Sequence, residues 1–359
     1  YFCKMKKIIL VIFLFLVQSN QLLTFEPKLQ KIINGLNSPW SLSFINDNKA
    51  LITEKSGNLI LVDLKNQKIK KIKHNLEILE HGQGGLLEVL YYNEEVFVSY
   101  SENLKNGNSS TSVASAKFSE NFLNFKNIFR ADPPINSGYH FGSRLVIKDN
   151  LLYATVGERG EGMIAQDPTK HPGSIIRIYK DGSIPKDNPK FLDKQEWLPE
   201  IYQIGIRNVQ GMALSPYDGE IYMTNHGARG GDWFGLLFKG GNYGWDKLYW
   251  GGTKYSGLPG GPKWLPGYDK PIRYYVPSIA TSAMLIYKGS EFEEWNGKAL
   301  ISALKDKSIR LVSFKKNKFI KEEIIFKDKV GRIRDIKLDE EGRVLILTDG
   351  GGLWRLSKS

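Results

Sequence analysis

Five histidines occur in 359 residues, and two of them stand in loops dense with glycine and arginine: His140 in HFGSR and His226 in NHGARGGD. An imidazole titrates near neutral pH and can act as a general base. Neither histidine has a second one at metal-ligand spacing, so a His-based metal centre is not indicated. Arginine is the second notable type, because Arg144, Arg207, Arg332 and Arg334 each fall at or near the start of an apolar, strand-like run. Guanidinium groups converging on one point would hold a polyanion, and their planar fork matches carboxylate geometry. A structural salt bridge between repeat units accounts for Arg144 equally well, and for Arg332 and Arg334 less well.

The elements that must position these side chains are strands. Short alternating apolar runs closed by Gly, Asn or Asp recur along the chain, whereas helical periodicity is hard to find. Aligned, the runs form a loose repeat of strand, turn, strand ending in Gly, strand. Six units can be read, beginning near Trp40, Leu86, Arg144, Gly211, Ala283 and Ile333. This pattern predicts an all-β chain folded as a six-bladed β-propeller, whose radial repetition protects strand edges and leaves a central channel. A β-sandwich explains the repeat less well. His140 would enter the third unit from a loop facing the channel. The longest departures from the repeat, residues 157–174 and 224–278, are rich in Gly, Trp, Tyr and charge, a mixture suited to binding loops.

Composition sets the remaining bounds. With 41% hydrophobic and 12% aromatic residues the chain can bury a large core without covalent staples. Met5, Lys6 and Lys7 precede an apolar run from Ile8 to Val17 and then Gln18, Ser19 and Asn20, the pattern of a secretory signal. The run is too short to span a bilayer comfortably. Residues 1–4 therefore read as upstream sequence, 5–24 as a signal peptide, and 25–359 as one propeller domain, periplasmic or secreted, with no stable membrane insertion. Cys3 is the only cysteine and precedes that domain, which leaves no disulfide and no thiolate metal site within it. The formal charge of +12 comes in short lysine stretches such as Lys68, Lys70, Lys71 and Lys73, as on solvated strand faces and protected sheet edges, and not as a nucleic-acid patch.

Nine segments in order carry a family resemblance: PWSLSF from Pro39, GQGGLLEV from Gly82, HFGSRLV from His140, AQDPTKHPGSIIRI from Ala165, GIRNVQGMAL from Gly205, NHGARGGD from Asn225, NYGW from Asn242, SALKDKSIRLV from Ser302 and RIRDIK from Arg332. The chain after the leader resembles the pyrroloquinoline quinone (PQQ)-dependent soluble aldose sugar dehydrogenases, the family of soluble quinoprotein glucose dehydrogenase. The resemblance implies a six-bladed propeller with PQQ in the channel mouth, calcium beside it and an aldose above. His140 matches the family base that takes the anomeric hydroxyl proton, and Arg207 the group that offsets negative charge on the quinone oxygen. Gln83, Arg207, Asn208, Tyr255, Lys305, Arg332 and Arg334 match the quinone contacts. Carbonyls of Gly227 and Ala228 match the calcium ligands at the cofactor, with Asp232 and the backbone near Tyr243 left from a second, structural calcium site. Trp233 stands where the family has an acidic ligand of that second ion, which argues against it. Smaller departures are Ser143 for Gly, Val209 for Pro, Ala228 for Pro and Asn225 for Glu.

The resemblance further implies an aldose substrate, an external electron acceptor and a monomer or homodimer. Two other readings belong to different classes. A metal-dependent propeller lactonase would need carboxylate and Asn ligands in the channel loops, which here are mainly cationic. A non-catalytic binding propeller leaves the His, the Gln and the arginines without a role.

Overall fold

The computed structural model describes residues 27–190 and 197–358. The signal-peptide reading and Cys3 fall outside the described residues. Six sheets, antiparallel except for the short strand Phe122–Leu123 that pairs parallel at the outer edge of the first, follow one another around an axis, giving the all-β six-bladed propeller expected from the repeat. The innermost strands are Pro39–Asn46, Leu86–Tyr92, Gly142–Lys148, Val209–Leu214, Thr281–Ile286 and Ile333–Leu338. Each coincides with a unit read from the sequence. The circle is closed by a strand the repeat did not reveal: Lys28–Ile33 pairs antiparallel with Leu353–Ser357, so the last blade takes its outer strand from near the chain's start. The lysine-rich strand Lys68–His74 lies toward the outside of the first blade, with its lysines exposed.

The alternating apolar residues leave each sheet with two buried faces, and the core is accordingly divided into layers between blades. One layer joins Leu51, Leu59 and Leu61 to Val89, Val96 and Val98. The next joins Phe97 and Val113 to Leu145, Leu152 and Ile176. The layer between the last and first blades joins Leu345, Leu347 and Leu353 to Leu42, Ile52 and Ile60.

Buried hydroxyls tie the blades together nearer the axis. Thr53 Oγ1 donates to the carbonyl of Leu87, Ser99 Oγ to Ser143, Thr155 Oγ1 to Val209, Thr224 Oγ1 to Ser282, and Ser282 Oγ to Ile333. Each bond runs from one blade to the innermost strand of the next. They are needed because every innermost strand is bulged near its start, between Gly142 and Leu145 for example, or between Ile333 and Asp335. A bulge breaks the ladder and re-aims side chains. The freed backbone groups find these hydroxyls, as when the Arg144 N–H donates to Thr155 Oγ1 at 2.9 Å.

Below the channel mouth the axis is plugged by charge. Arg144 Nη1 lies 2.6 Å from Glu88 and 3.0 Å from Asp335, all three fully buried. Its Nε donates to the Gln210 carbonyl at 2.6 Å and its Nη2 to the Arg334 carbonyl at 3.2 Å. Of the two explanations for Arg144, the structure supports the inter-blade salt bridge.

Candidate active site

The bulged strand starts and the two long loops converge on one end of the channel, where two cavities adjoin. The lower, of about 210 Å³, is lined by Trp40, Lys55, Phe141, Asn208, His226, Arg332 and Arg334 among others. The upper, of about 510 Å³ and more open, is lined by Tyr139, Glu158, Trp245, Asp246, Tyr249 and Lys254 among others. Gln83, His140, Arg207 and Tyr255 belong to both walls. The two long departures from the repeat thus supply much of the upper wall.

His140 is held at the junction in a left-handed backbone conformation, φ 47°. Its N–H donates to Gln83 Oε1 at 3.0 Å, and its carbonyl accepts from the Arg159 N–H at 3.3 Å. The loop can pack this closely because residue 157 is glycine; a Cβ there would stand 2.0 Å from the His140 carbonyl oxygen. The ring Nδ1 bonds Glu158 Oε1, whose second oxygen accepts from the Gly162 N–H at 2.7 Å. Glu158 is buried, and its own N–H donates to the Arg207 carbonyl at 2.9 Å. Burial lowers the His140 pKa, the Glu158 hydrogen bond raises it and the Arg207 charge lowers it, with a net fall below the ordinary histidine value. Burial alone would raise the Glu158 carboxyl, but His140 and Arg207 hold it below the usual range. At neutral pH the pair is a neutral imidazole beside a carboxylate. The carboxylate fixes the proton on Nδ1 and leaves the Nε2 lone pair free to accept one.

Arg207 and Asn208 form a turn held by Asn225, whose Oδ1 accepts both N–H groups, at 3.1 and 2.8 Å. The Arg207 guanidinium lies over the Trp245 ring at 5.3 Å and donates to the Tyr255 hydroxyl at 3.3 Å. Arg332 and Arg334 reach the lower cavity from the last blade, and both Nε groups bond Asp349 at 2.9 Å. Burial would raise the Asp349 carboxyl, but Arg334 and Arg332 outweigh it and hold it low. Lys55 adds a fourth cation; burial, then the charge of Arg334, lowers its pKa. Among the described residues the lower wall carries these four cations and no carboxylate.

Lys305 does not line either cavity among the described residues; it is exposed beside Leu304, which does. Ala228 lines the upper cavity. Gly227 is tied down by Asp232, whose Oδ1 accepts its N–H at 2.8 Å. The other Asp232 oxygen accepts from Ser278 Oγ, Ile279 N and Ala280 N at 2.7 to 2.9 Å. Both oxygens accept from the protein, so Asp232 anchors the loop. Tyr243 donates to the Leu236 carbonyl at 2.7 Å and stacks on Trp233, ring centroids 4.1 Å apart. The position expected to bear a ligand for a second ion is filled by apolar packing. No cluster of three or more His, Cys, Asp or Glu suited to a metal exists among the described residues.

Sequence reasoning missed Glu158, Asp349 and Lys55. Glu158 adjoins Gly157, the first residue of a segment marked as functional, but nothing in its spacing pairs it with His140.

Comparison with known proteins decides the family. The glucose/sorbosone dehydrogenase family matches residues 36–355. The chain belongs to this family. It is an oxidoreductase of the glucose/sorbosone dehydrogenase type and is 35% identical over 327 residues to the aldose sugar dehydrogenase YliI of Escherichia coli, covering 88% of each chain. The crystal structure of the soluble aldose sugar dehydrogenase of Escherichia coli in its apo form aligns with a TM-score of 0.88 and 32% identity, over 93% of this chain and all of that one. A PQQ-bound aldose sugar dehydrogenase from Streptomyces coelicolor shares the fold, with a TM-score of 0.75 and 20% identity over 93% of this chain and 98% of that one.

Proposed function

We propose that this family member oxidises aldoses at the anomeric carbon to lactones, with PQQ in the lower cavity, the sugar in the upper one and His140 as general base. The observation that carries the reading is the pair of adjoining cavities. Among the described residues, one is lined by four cations and no carboxylate, the other holds a neutral imidazole oriented by a carboxylate, and His140 and Arg207 stand where they meet.

The donor set fits the cofactor. Three carboxylates of PQQ match Lys55, Arg332 and Arg334 around one cavity, with Asp349 beneath holding the two arginines in place. His226 also lines this cavity. For calcium, the Gly227 and Ala228 carbonyls on the Asp232-anchored loop would supply hard oxygen ligands, with the cofactor's own atoms supplying others. A second calcium is not part of the proposal.

When bound, PQQ supplies a two-electron acceptor that takes the hydride from the sugar C1. His140 Nε2 accepts the proton of the C1 hydroxyl, while Glu158 keeps the Nδ1 proton in place and stabilises the imidazolium that forms. Arg207 holds a fixed positive charge between the two cavities, where negative charge accumulates as the sugar is oxidised. Electrons then pass to an external acceptor. The leader motif supports a periplasmic or secreted location.

The lactonase reading requires carboxylate ligands facing the channel. Of the two carboxylates on the upper wall, Glu158 is taken by His140, which leaves Asp246 alone, and a single carboxylate does not make a metal site. Dye-linked turnover of an aldose panel, with and without PQQ and calcium, tests the proposal. Activity requiring both additions is the expected result. Turnover unaffected by either, or hydrolysis of a lactone without them, would sink it.

The arginines should differ in weight. Arg334 is nearly enclosed, 14% exposed, whereas Arg332 is 50% exposed. Arg334→Ala should weaken PQQ binding by about 30-fold or more, since a desolvated charged hydrogen bond is lost. Arg332→Ala should cost less than about fivefold, because solvent already screens it. Equilibrium titration of the cofactor-free protein with PQQ reads both, and equal losses would contradict the cavity assignment.

A further inference from the structure

The upper cavity holds a carboxylate that the proposed chemistry does not use. Asp246 is half-buried on the wall that also carries His140 and Arg207. The Tyr249 hydroxyl bonds one of its oxygens, Oδ1, and so sets the plane of the carboxylate. The other, Oδ2, lies beside Gly162, where a Cβ would stand 2.8 Å from it. Gly162, in a left-handed conformation at φ 48°, puts no side chain against Oδ2, and Oδ2 accepts no hydrogen bond among the described residues. Trp245 and Tyr249 pack against each other beside the carboxylate, ring centroids 4.6 Å apart and both buried, whereas the Tyr139 and Tyr255 rings on the same wall are exposed. No cation pairs with Asp246 among the described residues, although Lys254 lines the same cavity.

An oriented carboxylate oxygen beside aromatic rings is suited to a neutral polyhydroxylated ring. The carboxylate accepts a hydroxyl proton in a charge-assisted bond, and the aromatic surface covers the C–H face. We infer that Asp246 is a specificity-determining residue: it accepts a hydrogen bond from a substrate hydroxyl remote from the anomeric carbon and disfavours sugars that carry a carboxylate. This inference rests on the aldose reading above. His140 takes the C1 hydroxyl proton, so the hydroxyl bound by Asp246 is a different one, and Asp246 contributes to binding more than to the chemical step.

The test uses the full chain loaded with PQQ and calcium, comparing the wild type with Asp246→Asn, which keeps an acceptor for Tyr249 and nearly the same shape. Steady-state kinetics are run on glucose, its singly deoxygenated derivatives and glucuronate, and sugar binding is followed separately by quenching of tryptophan fluorescence. The variant should raise KM for glucose about tenfold with kcat changed less than about twofold. It should abolish the extra penalty shown by one particular deoxy sugar, and narrow the preference for glucose over glucuronate about tenfold. Fluorescence titration should show the same weakening without turnover. A deoxy profile and glucose-to-glucuronate ratio unchanged by Asp246→Asn would overturn the inference while leaving the dehydrogenase reading intact. A wild type that oxidises no aldose and shows no sugar-dependent quenching would overturn the reading itself.

Discussion

Replacing His140 with alanine should lower kcat by about 10²- to 10⁴-fold, the range general-base catalysis commonly contributes, while PQQ binding changes little. The residue touches both cavities but offers no charge to the cofactor, because burial and Arg207 keep the ring neutral at working pH. A base must be unprotonated to act, so activity should fall as pH drops through the His140 pKa. That pKa is depressed, so the acid limb of kcat/KM should lie below the ordinary histidine value of about 6.5. Glu158 raises the His140 pKa through its hydrogen bond. Glu158→Gln should therefore move the limb further toward acid and, by releasing the ring's tautomer, reduce kcat by about 10²-fold. A structural role for Glu158 would lower activity without displacing the limb, and pH–rate profiles of the two variants separate the cases.

The second large effect concerns stability. Arg144→Met should destabilise the propeller by about 3–5 kcal/mol, since it leaves Glu88 and Asp335 charged, adjacent and out of water. Lys337 lies 3.4 and 3.7 Å from the same carboxylates but is partly exposed, and cannot replace the guanidinium between them. The midpoint of denaturant unfolding measures the loss. Replacing Glu88 and Asp335 as well with apolar residues of similar volume should recover most of it, because the penalty belongs to the orphaned charges. A loss below about 1 kcal/mol for Arg144→Met would mean that water reaches the plug. Gln210 and Arg334 present their carbonyls to Arg144 and line the lower cavity, so the single variant should also bind PQQ more weakly.

Blade number and blade boundaries were legible from the residues alone, because strand alternation and the turn residues after it are local properties of the chain. All six innermost strands begin within two residues of where the repeat placed them. The chemistry-bearing loops were legible for a related reason: residues 157–174 and 224–278 break a repeat that packing would otherwise preserve. His140, Arg207, Arg332 and Arg334 could be selected as types that bind anions or move protons, and the ordered motifs around them resemble one family closely enough to name their roles.

What only the tertiary structure decided are relations between blades, which no local pattern encodes. Strand Lys28–Ile33 completes the last blade across the whole length of the chain. Arg144 could be a ligand-binding or a structural residue until its neighbours Glu88 and Asp335, 56 and 191 residues away in sequence, were seen to surround it. Glu158 became the partner of His140 only when a glycine allowed two loops to touch, and the anchoring of its loop by Asp232 emerged only with the four donors on its oxygens. The physical reason is common to all of them. A side chain's type states what it can do, but its charge state and free valences are set by burial and by partners that folding brings from elsewhere in the chain.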